Sequence, residues 1–169
     1  MKGDRQAQFE LYRLYSKAMY NICLRMLRNE MDAEDLLQNS FVDIYGKINT
    51  FRFQSSIGAW IKRIVINNCI NFLKKRRLDI VSLERQHDDR WDEPEPTNSN
   101  LSLKVKDVKS AISQLPDGYR VVFNLYTLEG YDHKEIAEIL DVSEATSKSQ
   151  YSRAKKRLRE MLGQGVARN

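Results

Sequence analysis

The sequence predicts an all-α protein built as two small helical bundles joined by a flexible acidic linker. Apolar residues recur at steps of three and four along most of the chain, which places them on one face of a helix. No segment has the alternating pattern of a strand. From residue 84 to residue 100 the periodicity stops, and acidic residues and prolines replace it, as in an exposed linker. Each bundle must therefore bury its own core.

Charge and the lack of export signals narrow the class of protein. The net charge of +5 favours a polyanionic partner, although many soluble proteins are mildly basic. No apolar run approaches the roughly 20 residues that span a bilayer, and the polar N-terminus leads into no signal-peptide core. We therefore expect a soluble, cytoplasmic protein.

The two cysteines, Cys23 and Cys69, lie far apart in the sequence, without the spacing of a metal or redox motif. His87 and His133 form no metal constellation with them. We expect isolated, buried, reduced thiols, as suits a cytosolic protein, and neither a metal site nor a cofactor.

The first bundle should begin with a helix from about residue 7 to residue 27. Its buried stripe is predicted to consist of Phe9, Tyr12, Tyr15, Met19, Ile22 and Met26. Asn29 should end this helix, and Asp32 should cap the next one, which ends near Gly46. The inner face of the second helix is predicted to carry Leu36, Leu37, Phe41, Ile44 and Tyr45.

A loop at 48–56 contains Phe51 and Phe53 and leads into a long helix, from residue 57 to about residue 77, capped by Ser55 or Ser56. Its apolar side should be Ile57, Ile61, Val65, Cys69 and Phe72. Its other side should align Ser56, Trp60, Arg63, Asn67, Asn71 and Lys74. Such a surface suits the unstacked bases and backbone of partly open DNA. A solvated face with a core-anchoring Trp60 is the alternative.

The second bundle should start with a helix whose stripe is Leu101, Val105, Val108 and Ile112. Leu115 and Pro116 break it, and Pro116 begins another helix that Gly130 closes. The apolar residues of that helix are Val121, Val122, Leu125 and Leu128.

The segment from residue 131 to residue 162 has the pattern of a helix-turn-helix. Asp132 and Glu135 form a capping box, and Ser143 caps a longer, basic second helix. The apolar side of the first helix is Ile136, Ala137, Ile139 and Leu140. In DNA-binding proteins of this type the second helix enters the major groove.

The second helix of this motif should pack through Ser147, Tyr151, Ala154, Leu158, Met161 and Leu162. Its other side is cationic, with small polar residues near its start that leave room to approach bases. The residues expected near base edges are Glu144, Thr146, Lys148, Ser149 and Ser152. Those expected to hold phosphates are Arg153, Lys155 and Lys156.

The acidic segment at 32–41 is unsuited to DNA, because its carboxylates would repel phosphates. Helix capping explains part of it, and a protein partner is the alternative. The contact residues would be Asp35, Leu36, Gln38, Asn39 and Phe41. Three acids in one turn, with no matching ligands elsewhere, make a poor metal site. No phosphate-binding loop or nucleophile arrangement occurs either, so we do not expect an enzyme.

Two sets of motifs resemble the bacterial RNA polymerase sigma factors. Domain 2 is matched by Ala33, Glu34, Asp35, Leu36, Leu37, Gln38, Ser40, Phe41, Phe51, Ala59, Trp60, Ile61, Ile64 and Asn67. Domain 4 is matched by Leu115, Pro116, Tyr119, the run from Gly130 to Leu140, Ser143 to Thr146, and Ser152 to Leu158. Their order, the chain length and the acidic linker resemble the extracytoplasmic-function (ECF) subfamily of the sigma-70 family. The domains would be 1–78 and 101–163, with a linker at 79–100 and a tail at 164–169.

The resemblance implies a division of labour. The helix at 35–41 would dock on the clamp of the largest polymerase subunit, and domain 4 would pack on the polymerase flap and read the −35 element. The −10 element would be bound, with one base flipped out, by Asn49, Phe51, Phe53, Ser56, Trp60, Arg63, Asn67, Asn71 and Lys74. The linker would pass near the active-site and RNA-exit channels, where Trp91 could touch polymerase. An anti-sigma factor, often membrane-bound in the subfamily, is implied as a further partner, and no small-molecule substrate is.

A different function fits the helix-turn-helix considered alone: a dimeric repressor or activator whose N-terminal half dimerises. Three residues also depart from the sigma pattern. Ser147 stands where an aliphatic residue is usual, Gln150 where Arg is common, and Asp141 where a turn glycine is frequent. Asp tolerates left-handed geometry, so Asp141 should preserve the turn. Ser147 and Gln150 are expected to affect −35 specificity rather than the fold.

Overall fold

The computed structural model describes residues 4–76 and 105–166. The chain divides into two compact units, Met1–Arg77 and Leu78–Asn169, and each has its own core. All regular elements of these described residues are helical, as the sequence predicts. Within them no helix is long and apolar enough to cross a membrane. Arg77, His87, Trp91, Leu101 and the rest of 77–104 lie outside the described residues.

The first unit is a bundle of three helices that all pack on one another. They are α1 (Arg5–Leu27), α2 (Glu30–Lys47) and α3 (Ile57–Lys75), with a short 3₁₀ turn, Ile48–Thr50, after α2. Asp4 caps α1, because its carboxylate accepts hydrogen bonds from the backbone N–H groups of Gln6 and Ala7. The core extends along the bundle through Met19, Ile22, Cys23, Met26, Leu36, Leu37, Phe41, Ile44, Ile61, Val65, Ile66 and Cys69.

The turn between α1 and α2 corrects the predicted cap. Arg28 adopts a left-handed conformation, with φ of 61°, and ends α1. Asn29 then caps α2, because its side-chain oxygen accepts the N–H of Asp32 at 2.9 Å. The prediction that Asp32 is the cap is therefore wrong. Its carboxylate instead forms an ion pair with Arg76 at the end of α3, at 2.9 Å.

The predicted stripe on α1 is buried only in its later turns. Phe9 is 63% exposed and Tyr12 is 38% exposed. At this end of the bundle α2 meets α1 through Gln8, whose carbonyl accepts a hydrogen bond from the Tyr45 hydroxyl at 2.9 Å. The Tyr12 ring packs edge-on against the Phe41 ring.

The two cysteines are free and buried, as predicted, but they are not isolated. Packing of α1 on α3 brings the sulfur atoms of Cys23 and Cys69 to 3.8 Å. The hydrogen bond from Cys69 lowers the pKa of the Cys23 thiol. Sequence separation gave no hint of this pairing, because it depends on how two helices dock.

The second unit is arranged around one long helix. Its elements are α4 (Val105–Gln114), α5 (Asp117–Phe123) with a π-helical turn (Asn124–Leu128), α6 (His133–Leu140) and α7 (Glu144–Val166). Helix α7 packs against α4, α5 and α6. Pro116 breaks α4 from α5, and Gly130 ends the π turn with φ of +80°, both as predicted.

Two residues that the apolar pattern assigned to this core are on the surface. Val105 is 70% exposed in the first turn of α4, and Leu128 is 47% exposed in the π turn. Leu128 is the last residue of the π turn, whose i to i+5 spacing departs from the α-helical stripe on which the prediction rested. Val121, Val122 and Leu125, which lie earlier along the chain, are all buried.

Candidate nucleic-acid interfaces

Helix α3 presents the polar face that the sequence predicts. Ser56 caps the helix by accepting the N–H of Ala59 at 3.2 Å. Gly58 in the first turn permits close packing on α1, because a Cβ there would lie 2.9 Å from the Tyr15 ring. The exposed face carries Arg63, Asn67, Asn71 and Lys74. Ile61, Val65 and Cys69 are fully buried on the other side, whereas Ile57 and Phe72 are only partly buried.

Aromatic rings extend this face into the preceding loop. The Phe51 ring lies 5.5 Å from the half-buried Trp60 ring and 4.7 Å from the Phe53 ring, measured between centroids. Phe53 is 86% exposed and has φ of 58°, an unfavourable region for a bulky residue. The loop therefore holds an apolar ring in water on a strained backbone, which is an arrangement typical of binding sites.

A partly open cavity lies between this loop and the start of α1. Its volume is about 470 Å³, within the range of small-ligand pockets. It is lined mainly by apolar groups, from Ala7, Gln8, Leu11, Tyr45, Ile48, Asn49, Phe51, Phe53 and Ile57. Three residues predicted to bind the −10 element, Asn49, Phe51 and Phe53, thus border one cavity. The α1 residues could not have been assigned to it from sequence.

The acidic part of α2 divides into a surface half and a core half. Asp35, Gln38 and Asn39 are exposed. Leu36 is 9% exposed and Phe41 only 2%, and Phe41 packs on the rings of Tyr12 and Tyr45. Neither of these two apolar residues can therefore offer a partner more than a small part of its side chain.

Two other apolar residues occupy the exposed side of α2. Met31 is 76% exposed and Val42 is 69% exposed. Met31 lies four residues before Asp35, and Val42 lies four residues after Gln38. The four side chains therefore form one row along the helix. We call Met31, Asp35, Gln38 and Val42 the α2 ridge. Sequence analysis missed Met31 and Val42, although their spacing from Asp35 and Gln38 was the available signal.

The helix-turn-helix forms as the sequence predicts. The N–H of Glu135 donates to the Asp132 carboxylate at 2.8 Å, and the N–H of Asp132 donates to the Glu135 carboxylate at 2.9 Å. Asp141 is left-handed, with φ of 61°. Ser143 caps α7 by accepting the N–H of Thr146 at 3.0 Å.

Helix α7 separates a packing side from a charged side. Ser147, Ala154 and Leu158 are buried, and Tyr151, Met161 and Leu162 are partly buried, which confirms the predicted packing side. The charged side is exposed at Glu144, Lys148, Lys155 and Lys156, and Thr146, Ser149, Ser152 and Arg153 border it half-buried. The Lys155 ammonium group also lies 5.0 Å from the centre of the Tyr151 ring.

Several candidate base-reading groups already have partners within α7. Glu144 pairs with Lys148 at 2.7 Å, and this hydrogen bond lowers the pKa of Glu144. The Ser149 hydroxyl donates to the Thr146 carbonyl at 3.0 Å. To contact bases, these side chains would therefore have to give up the partners that they have within α7.

Both residues expected to alter −35 specificity lie in the interior. Ser147 is 0% exposed and Gln150 is 1% exposed, so neither can touch DNA directly. The Ser147 hydroxyl is 2.9 Å from Nδ1 of His133, the first residue of α6. Burial, and next the positive charge of Lys148, lower the pKa of His133. Sequence analysis considered His133 only as a possible metal ligand and missed this contact.

Comparison with known proteins identifies the two units. The sigma-70 region 2 family model matches residues 11–78, and the sigma-70 region 4 model matches residues 106–158. The ECF RNA polymerase sigma factor SigW of Bacillus subtilis is 29% identical, over 95% of this chain and 91% of its own. SigM of the same organism is 28% identical, over 93% of this chain and 96% of its own.

Two solved structures share the fold. One is the sigma factor RpoE in complex with the anti-sigma factor NepR from Bartonella quintana, with a TM-score of 0.61 and 24% identity over 91% of this chain and 95% of that one. The other is CnrH in complex with the cytosolic domain of CnrY, with a TM-score of 0.56 and 22% identity over 95% of this chain and 90% of that one.

Two helical units that match sigma-70 regions 2 and 4, the second with a helix-turn-helix, identify the chain as a promoter-recognition factor of transcription initiation. The chain belongs to the ECF group of the sigma-70 family. Its function is that of a sigma factor in promoter-directed transcription initiation. No comparison supports the alternative of a dimeric repressor or activator. In the described parts of both units, no group of three or more His, Cys, Asp or Glu residues could hold a metal ion.

Proposed function

We propose that this protein binds core RNA polymerase in the cytoplasm, directs it to paired −35 and −10 elements and promotes strand opening, while catalysing no reaction itself. The observation that carries this proposal is the presence of two outward basic helix faces, on α3 and α7, in two separate units. The α2 ridge, which has one carboxylate, two exposed apolar side chains and no basic residue, is unsuited to DNA and suits a protein.

The polymerase contact is assigned to the α2 ridge together with Asn39. Exposed apolar side chains at Met31 and Val42 flank the polar Asp35 and Gln38 over three helical turns. A row with this spacing is suited to lie along another helix, as in the helical part of a polymerase clamp. Leu36 and Phe41 would support the ridge from the core side of α2. A separate contact with the polymerase flap is assigned to the second unit, at the exposed part of the π turn, Asn124–Leu128.

The −10 contact is assigned to α3 and the loop before it. Arg63 and Lys74 can hold the backbone, and Asn67 and Asn71 can hydrogen-bond bases of an opened strand. The rings of Phe51, Phe53 and Trp60 offer stacking surfaces, and the adjoining cavity has room for a flipped base. Strand opening would be favoured because the stacking and base contacts form only with unstacked bases.

The −35 contact is assigned to the charged side of α7. Lys155, Lys156 and Arg153 would hold phosphates and position the helix in the major groove, while Lys148 and the small polar residues approach bases. Each contact alone is weak. Two on one chain strengthen each other through effective concentration, provided that the promoter spacing lets both engage.

An anti-sigma factor is proposed as a regulatory partner, and a membrane-bound one would suit an extracytoplasmic signal. The two structural relatives were solved as complexes with NepR and with the cytosolic domain of CnrY, which supports this idea for the present chain.

The test is run-off transcription with the purified full-length protein, core polymerase and a library of randomised promoters. We expect selection of two short elements at a fixed separation. No transcription from any template would contradict the proposal. A dimer that binds a symmetric site without polymerase would instead support a repressor or activator.

A further inference from the structure

The junction between α6 and α7 contains a side-chain hydrogen bond inside the helix-turn-helix. His133 is the first residue of α6, and its Nδ1 atom lies 2.9 Å from the Ser147 hydroxyl, one turn into α7. Which atom donates depends on the tautomer of the ring. Ser147 is fully buried, so water cannot take the place of this bond.

The His133 ring is held in place by more than this one bond. It stacks on the Tyr126 ring with centroids 4.5 Å apart and an interplanar angle of 19°. The Tyr151 ring, one turn after Ser147 on α7, meets it edge-on at 5.6 Å. Asp132, the residue before His133, is anchored by both bonds of the capping box. The imidazole is therefore held in one position relative to α6. Through its hydrogen bond it holds the Ser147 hydroxyl in one position as well.

The bond constrains the rotation of α7 about its own axis. Ser147 stands between two candidate base-reading residues, Thr146 and Lys148. The side-chain tips of a helix lie about 6 Å from its axis, so a rotation of about 10° moves them by about 1 Å. A displacement of that size is enough to break a hydrogen bond to a base edge. An aliphatic side chain at position 147 would pack here without defining the rotation of α7 about its axis.

We propose that His133 is a positioning residue for −35 recognition, because its hydrogen bond to the buried Ser147 sets the angle at which α7 presents its base-reading side chains. This inference rests on the proposed assignment of α7 to the −35 element. It gives Ser147 an indirect role in specificity, although Ser147 cannot touch DNA.

The test compares four variants of the full-length protein with core polymerase. His133→Phe keeps the ring and its stacking on Tyr126 but cannot form the bond. Ser147→Ala removes the hydroxyl. The double variant His133→Phe/Ser147→Ala leaves no polar group without a partner at the junction, so it should fold even if a single variant does not. His133→Asn is the rescue variant, because its amide places a polar atom close to the position of Nδ1.

Transcription is measured on two libraries, one randomised at the −35 element and one at the −10 element, well below the melting temperature of each variant. We expect His133→Phe, Ser147→Ala and the double variant to prefer other −35 bases and to use the wild-type −35 sequence about tenfold less, the effect of one hydrogen bond on affinity. Their −10 preference should remain that of the wild type. His133→Asn should retain the wild-type −35 preference.

An unchanged ranking of −35 sequences in the double variant would overturn the proposal and leave the bond a purely structural role. An equal loss on both libraries would do the same, because it would report only a lower amount of folded protein. Failure of the proposed function would look different, since the wild-type protein would then give no transcript from either library.

Discussion

Arg120 is the largest charged side chain buried in the described part of the chain, with 1% of its surface exposed. It lies beneath the break between α4 and α5, where it donates a hydrogen bond to the Leu115 carbonyl at 3.0 Å and pairs with Asp117. Buried guanidinium groups are tolerated only when they are paired in this way. Its role is to satisfy a carbonyl that the helix break leaves without a helical donor.

Replacing Arg120 by Ala should lower the free energy of unfolding by about 3–5 kcal/mol, because it empties a buried site and breaks the pair. The measurement is urea unfolding of the full-length protein followed by circular dichroism. Arg157→Ala is a matched control, since Arg157 pairs with Glu160 at the same i,i+3 spacing but with its side chain 59% exposed. The control should cost well under about 1 kcal/mol, and equal losses would contradict the assigned role of Arg120.

His133 should make the stability of the second unit depend on pH. Its pKa is lowered in the folded state, first by burial and then by Lys148. The unfolded chain therefore binds the proton more readily, so the free energy of unfolding should fall as the pH drops below about 6.5 and level off below the lowered pKa. Urea unfolding between pH 7.5 and pH 5 would test this, and a His133→Phe variant should lose that part of the dependence. An identical pH profile for the two proteins would count against it.

At the scale of elements, α2 shows how adjacent positions take different roles. Phe41 supports the helix from the core, and Val42, one residue later, is on the surface. Val42→Asp should weaken binding to core polymerase at least tenfold while leaving the free energy of unfolding nearly unchanged, because it replaces one of the two exposed apolar side chains of the ridge by a charge. Binding can be followed by fluorescence anisotropy of the labelled protein.

Phe41→Ala is the matched comparison, and it should lower the free energy of unfolding by about 3–5 kcal/mol. Leu14→Asp, at an apolar residue of α1 that is 65% exposed, controls for the added charge and should not affect polymerase binding. If Val42→Asp bound polymerase as well as the wild type does, the α2 ridge would not be the docking surface.

The charge on α7 should appear in the salt dependence of promoter binding. Lys155→Gln together with Lys156→Gln should reduce the slope of log affinity against log salt by about two, because two phosphate contacts are lost. Lys106→Gln with Lys109→Gln removes the same charge from exposed positions of α4 and is the control. Filter binding of holoenzyme at several salt concentrations provides the measurement. Equal slopes in both double variants would argue for a general charge effect instead.

The sequence predicted those features that are decided within a few residues. The capping box at Asp132, the left-handed Asp141 and the helix break at Pro116 depend on local hydrogen bonds and backbone preferences, and all three are confirmed. At the start of α2 the local prediction failed, because the sequence analysis assigned Asn29 to the end of α1 and the cap to Asp32, whereas Asn29 is the cap. The actual partner of Asp32 is Arg76 on another helix, which a local pattern does not reveal.

The remaining features depend on contacts between helices, which periodicity does not describe. The sulfur contact of Cys23 with Cys69, the bond of His133 to Ser147 and the cavity beside Phe53 each join residues of different elements. For the same reason, periodicity did not show which residues of each predicted surface would be exposed and which would be buried. The polar face of α3 was predictable because one helix carries almost all of it, whereas the α2 ridge was only partly found.

At the scale of the whole molecule, the chain consists of two units, and each has its own buried core. Under the proposed assignment of α3 to the −10 element and α7 to the −35 element, promoter selectivity comes from combining two readings, each of modest strength, on a single chain. A substitution in one core should accordingly affect the use of one element more than the other.

The ion pair between Asp32 and Arg76 has a mechanical consequence for the first unit. It fastens the start of α2 to the end of α3, while the sides of both helices pack on each other and on α1. Under the proposed assignments, the surface that meets polymerase and the surface that meets the promoter lie on two helices that pack directly on each other. A displacement of α2 by polymerase would then move the promoter-facing side of α3 with it, which couples polymerase movement to strand separation.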